Sequence, residues 1–210
     1  MPSTPDTAID VHPWREALVW ACVLGAYFVV GYSLTNQWAA AQCAQYSLHA
    51  PWDALVPFLG WTIWPYLSLN LLYPCTFFAF EHVRALRVHA ARIALVQTVC
   101  FLVFRFWPTA AVRETPDVSG VTGALFDQLR VFEQPVNMAP SLHAAVLVLV
   151  WRAGIGALRA HRVARMLWQA WCALILVSTL TTWQHDIADV VAGMLLGVLA
   201  LRLVPMRVAR

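Results

Sequence analysis

Apolar residues fall in six long runs along this chain, at 17–34, 55–80, 93–108, 139–151, 166–181 and 187–204. Each run is continuous rather than alternating, and each lies between short polar segments. About 20 apolar residues suffice for one helical membrane crossing. The pattern therefore predicts an all-α, polytopic membrane protein, with six transmembrane helices in one bundle. The fourth run is short and extends toward Leu158 through Gly154 and Gly156. The first 15 residues read as a polar N-terminal segment, and residues 1–210 as a single integral membrane domain. The acidic start and the length of the first run argue for a retained span over a cleaved signal peptide.

Composition sharpens this picture. The chain has 210 residues, 60% of them hydrophobic and 12% charged. Soluble domains carry about twice that charge, so a disordered chain or an ordinary cytosolic enzyme is excluded. All 14 basic residues are Arg. Eleven of them fall in alternate connecting segments: Arg15; Arg84, Arg87 and Arg92; Arg152, Arg159, Arg162 and Arg165; and Arg202, Arg207 and Arg210. The positive-inside rule puts these on the cytoplasmic side, with both termini. The expected location is a bacterial inner membrane, with the opposite face toward the periplasm or exterior. The net charge of +3 follows from this bias and implies no nucleic-acid partner. Cys22, Cys43, Cys75, Cys100 and Cys172 form no CxxC pair, so they read as small hydrophobes.

The face poor in Arg collects the candidate chemistry. His185 and Asp189 are spaced i, i+4, which on a helix brings them to one side. A carboxylate there accepts the imidazole Nδ1–H and leaves Nε2 as a nucleophile or base. The alternative is a His–Asp pair that only stabilises a helix start. Pro140 suits a first helical turn. Ser141, Leu142 and His143 would then offer backbone N–H groups to an anion. Two histidines beside an anion site suit phosphoryl transfer without a metal or other cofactor. Asp186 is read as pointing away from its neighbour, and Asn70 as an interhelical hydrogen bond. His49, His82, His89 and His161 are read as solvated. Gly193 and Gly197 form a GxxxG helix-packing face.

Pro140-Ser141-Leu142-His143 and the stretch from Ser178 to Asp189 resemble the second and third signatures of the type 2 phosphatidic acid phosphatase superfamily, PSGH and SRxxxxxHxxxD. Leu142 in place of Gly is similar to the branch of inositol-phosphorylceramide and sphingomyelin synthases. The motif-bearing part covers 104–193. The resemblance implies that His185 attacks phosphorus, Asp189 orients it and His143 serves as acid and base. Ser141 and the neighbouring N–H groups, including that of Leu142, would hold phosphate oxygens. In the first signature, KxxxxxxRP, Arg113 takes the Arg place. Glu114 replaces its Pro and Phe106 its Lys, while Thr179 replaces the Arg of the third signature. Arg105, one residue from the Lys position, is a candidate substitute, or an Arg that snorkels to the interface. The implied activity is a membrane lipid phosphatase, acting on a lipid phosphomonoester or diphosphate at the outer leaflet. The alternatives are a lipid phosphotransferase that moves a phospho-headgroup to an alcohol, and a non-catalytic scaffold or transporter. The expected partners are a lipid phosphate substrate and membrane lipids.

Overall fold

A computed structural model describes residues 12–42 and 46–206. Cys43 and the basic positions Arg207 and Arg210 lie outside these. Seven helices follow in order: α1 (Trp14–Ala40), α2 (Ile63–Cys75), α3 (Val83–Phe106), α4 (Gly120–Phe132), α5 (Leu142–Ala157), α6 (Arg162–Thr181) and α7 (Ile187–Leu203). The described residues contain no strand, only isolated bridges at Tyr46–Thr109 and Ala110–Val136. These bridges join the loops at one end of the bundle.

Helices α1, α3 and α6 are long and apolar enough to cross a membrane. Their outward faces are apolar, as Leu18, Val23, Val30 and Leu34 on α1 and Val163, Leu167 and Val177 on α6 show. A soluble fold would bury such residues; a membrane protein turns them toward lipid. Helices α5 and α7 span 16 and 17 residues.

The second apolar run does not make one long helix. A 3-10 turn at Pro51–Leu55 leads into it, and the run itself breaks into short 3-10 turns at Gly60–Thr62 and Thr76–Ala79 with α2 between them. Pro57 and Gly60 interrupt helix before α2, and Pro74 closes its last turn. Residues 109–138 contain a helix that the charge pattern hides. Helix α4 is 13 residues long, and it buries Phe126 and Leu129 against Ile63 and Tyr66. It thereby roofs the outer part of α2.

Two contacts bring the Arg-bearing helix ends together. Arg87 pairs with Glu16 at 2.6 Å, and Arg92 donates to the Val204 carbonyl at 2.9 Å. The histidines lie at the other end, where α5 and α7 begin.

The α5–α7 seam explains their placement. A Cβ built on Gly193 would lie 2.2 Å from the Ser141 carbonyl oxygen, and one on Gly197 would lie 2.6 Å from that of Ala145. Only glycine lets the two backbones approach this closely. The Ser141 N–H then reaches the Asp189 carbonyl at 2.9 Å. The GxxxG pair thus locks the start of α5 onto the start of α7.

Cys100 and Cys172 are buried among apolar neighbours, whereas Cys22 and Cys75 are exposed. His89 departs from the solvated reading. It is buried in α3, bonded to Thr76 Oγ1 at 3.0 Å and packed on Phe77 and Phe80.

Candidate active site

A cavity of about 670 Å³ opens where α5 and α7 begin, and it is lined by Arg113, Leu142, His143 and His185. Four of the sequence-selected residues therefore share one wall. The other three do not line it.

His185 occupies the tight turn between α6 and α7, which Trp183 enters with φ 58°. Its own N–H bonds the Thr179 carbonyl at 3.1 Å. Helix α7 starts only at Ile187, so His185 and Asp189 are not on a shared helical face. The Nδ1–H of His185 goes to the Met138 carbonyl at 3.1 Å. Asp189 Oδ2 lies 4.0 Å from that nitrogen and instead accepts the Asp186 N–H at 2.9 Å. The expected His–Asp hydrogen bond is thus replaced by a backbone acceptor. The electronic result is the same, because a donating Nδ1 leaves a lone pair on Nε2. Burial pulls the His185 imidazole down to about 4, so it is neutral at pH 7. Asp189 Oδ1 is buried and has no hydrogen-bond partner.

His143 sits in the first turn of α5. Its ring stacks on Tyr66 with centroids 4.1 Å apart and planes 4° from parallel. Its Nε2 is buried without a partner. Pro140 does not enter the helix. Ser141 is the N-cap, and its Oγ accepts the Ala144 N–H at 3.2 Å. Ser141 thus holds the helix start with an Oγ lone pair and with its N–H, which serves the Asp189 carbonyl, and keeps only its hydroxyl proton uncommitted. That leaves the Leu142 and His143 N–H groups, which have no intrahelical acceptor, at the positive end of α5.

Arg113 is the cation of the site. Its Nη1 donates to the Asp53 carbonyl at 3.0 Å. Its Nη2 donates to the His185 carbonyl at 3.3 Å and to Asp186 Oδ1 at 2.7 Å. The guanidinium also lies over the Trp183 ring, 5.1 Å from its centroid. Two N–H groups remain, the second on Nη1 and that of Nε, which is buried and unpartnered. Arg105 lies elsewhere, over the Trp38 ring at 3.9 Å, and is not part of the cavity wall. Thr179 does not substitute for the missing family Arg, since its hydroxyl bonds the Leu176 carbonyl at 2.7 Å.

The sequence reading misses a supporting clamp. Asp186 faces Arg113 rather than solvent. His49 bonds Asp186 Oδ2 at 3.1 Å and so is not free. Asp53 accepts the Ile187 and Ala50 N–H groups at 2.8 and 2.9 Å. The ligand atoms of His49, Asp53 and Asp186 lie within 4.8 Å of one another, a spacing compatible with a metal ion. Each Asp oxygen and His49 Nδ1 already serves an internal bond, which makes the cluster a clamp for Arg113. Two further residues turn toward the cavity. Asn70 lines it rather than bonding another helix. Glu133 lines it as well, and burial pushes its carboxyl up to about 7. Neither carries a motif that would single it out.

Residues 61–203 match the model of a PAP2 superfamily family. The chain belongs to the PAP2 superfamily. The matched range contains every residue of the cavity's reactive wall, and membership gives the chain a phosphatase or phosphotransferase type of function. No curated protein and no solved structure matches it.

Proposed function

We propose that this chain is a membrane lipid phosphatase that works through a phosphohistidine. The observation that carries the reading is the Nδ1–H bond from His185 to the Met138 carbonyl. It aims a neutral, nucleophilic Nε2 into a cavity shared with His143 and Arg113. In the first step Nε2 attacks phosphorus, a P–N bond forms and the P–O bond to the leaving alcohol or phosphate breaks. His143 takes the proton that the monoanionic phosphoryl group of the substrate brings and passes it to the leaving oxygen. In the second step His143 takes a proton from water, the water oxygen attacks phosphorus and the P–N bond breaks.

The remaining groups stabilise charge. The Arg113 Nε–H and the Leu142 and His143 N–H groups are donors for phosphoryl oxygens. Positive charge develops on His185 as it attacks. Asp189, 4.0 Å away with an unpartnered oxygen, stabilises that charge and holds the ring. The Arg-bearing helix ends lie in the cytoplasm, and the cavity opens to the outer leaflet. No step requires a metal.

The test is a panel of lipid phosphomonoesters and diphosphates in detergent, scored for released phosphate, with the 32P-labelled protein trapped at acid-labile, base-stable His. His185→Ala abolishes both signals. Phosphate release that survives in His185→Ala would refute the nucleophile.

One observation favours a second reading, transfer to an alcohol. Arg113 is the sole family cation retained here, and Asp186 already engages it. A phosphodiester brings less negative charge than a phosphomonoester and needs less compensation. Transfer of label to a lipid or sugar alcohol without phosphate release would decide for it.

A further inference from the structure

The cavity does not end at the histidines. It continues into the bundle past Tyr32, Tyr66, Asn70 and Tyr73 to Gln97. Gln97 sits midway along α3 and is 1% exposed. Its Nε2 donates to the Leu24 carbonyl and to the Tyr73 hydroxyl, both at 3.3 Å. A carbonyl cannot donate, so the amide orientation is fixed. Gln97 Oε1 is then buried without a partner.

Asn137 repeats the pattern nearer the mouth. It is 2% exposed. Its Nδ2 donates to Thr35 Oγ1 at 3.3 Å, whose own proton goes to the Gly31 carbonyl at 2.8 Å. Asn137 Oδ1 is left buried and unpartnered. The Glu133 carboxyl completes the set, with no hydrogen bond or ion pair to the described residues. Its charge is felt by the Tyr32 and Tyr66 phenols across the cavity.

Gln97 Oε1 and Asn137 Oδ1 are buried acceptors without donors, and the Glu133 carboxyl offers an acceptor oxygen in either protonation state. An acyl chain offers no donor and would bury them unpaired, which is costly. A single ammonium would satisfy the mouth but not Gln97, which lies deeper on another element. A group with several hydroxyls meets both depths.

We propose that the inner arm of this cavity is a binding subsite for a hydroxyl-bearing, polyol-type group, with Glu133, Asn137 and Gln97 as its acceptors. The subsite rests on the reading of His143 and His185 as the reacting pair, because it places that group beside the phosphorus. Two sources share this chemistry: the headgroup of the lipid donor and a free alcohol acceptor.

The experiment has two activity arms. The first compares phosphatidylglycerol with phosphatidylpropanol as donors. The second supplies phosphatidate with glycerol or 1-propanol as acceptor. The expected result is a preference for the polyol of about tenfold in kcat/KM in one arm. That preference falls to about one in Glu133→Leu and in Gln97→Met, and the arm that shows it identifies the source. Equal rates in both arms overturn the subsite. Preference for phosphatidylethanolamine over both diesters also overturns it.

A third measurement separates the subsite from the chemistry. Lipid binding to the His185→Ala protein is read by isothermal titration calorimetry in detergent. Stronger binding of phosphatidylglycerol than of phosphatidylpropanol, together with a wild type that releases no phosphate and transfers none, sustains the subsite and refutes the phosphohistidine reading. Equal binding of the two overturns the subsite whatever the turnover.

Discussion

Substituting Gly193 by Ala tests the claim that the α5–α7 seam sets the catalytic geometry. The added Cβ would lie 2.2 Å from the Ser141 carbonyl oxygen and 3.2 Å from the Ala144 Cβ. Ordinary contact begins near 3.4 Å. The helices must therefore separate by about 1.2 Å, the difference between 3.4 and 2.2 Å. The obstacle is backbone, so no side chain can rotate away. Overpacking of this kind costs about 1–3 kcal/mol of stability. The catalytic loss is larger, because a misplacement of about 1 Å costs on the order of 100-fold in rate. The assay is kcat for phosphate release, read beside thermal unfolding in the same detergent. Gly25→Ala is the control. It makes the same change on α1, where a Cβ meets nothing within 4 Å. There the only effect is improved helix propensity, about 1 kcal/mol in favour of Ala. A Gly193→Ala protein that keeps kcat within twofold of wild type would refute the reasoning.

Four further outcomes are expected. Arg113→Lys retains charge but not the fork that joins Asp53, His185 and Asp186, so kcat/KM falls at least 100-fold while Arg105→Lys stays within threefold. His185 contributes no inflection near pH 6.5 to the kcat/KM profile, because in the free protein it titrates near 4; an NMR titration that places the His185 imidazole midpoint at 6.5 would contradict this. Glu133 carries a folded value raised to about 7 against an ordinary 4.5. Its contribution is intact below pH 4.5 and is lost as pH rises toward 7, so Glu133→Gln removes a decline in melting temperature over that window; parallel curves for the two proteins would contradict it. Asp186→Asn weakens the hold on Arg113 and raises KM more than it lowers kcat, measured by steady-state turnover.

The fold was legible where composition alone decides it. Continuous apolar runs fix α6 and α7 within a few residues and mark α1 and α3, because a membrane permits little other than helix; α1 continues past its run to Ala40, and α3 begins at Val83, ten residues before its run, where Arg84, Arg87 and Arg92 mask the helix. The second run shows the limit. Its Pro and Gly residues break it into short turns, and average hydropathy does not register them. Helix α4 was hidden for the opposite reason: a charged segment with one apolar stripe reads as loop until Phe126 and Leu129 find α2.

The site divides in the same way. His143, His185 and Arg113 carry side-chain chemistry in a spacing that can be read, and the cavity unites them. The acceptor for His185 is a backbone carbonyl, which any residue supplies and no sequence marks. Asp53 and His49 reach Asp186 from more than 130 positions away, so only tertiary structure brings them together. Arg105 and Arg113 look alike in sequence, yet one stacks on an indole beyond the cavity and the other is held at its edge.

The glycine seam also has a bearing on time. The ribosome makes α5 before α7, and Ser141 gains its partner at Asp189 only when α7 has been inserted and packed. His185 and Asp189 reach the membrane in that same last step. During synthesis the half-built bundle therefore holds His143 without His185 beside it. The side chains around the cavity are complete as a set only once the final helix docks.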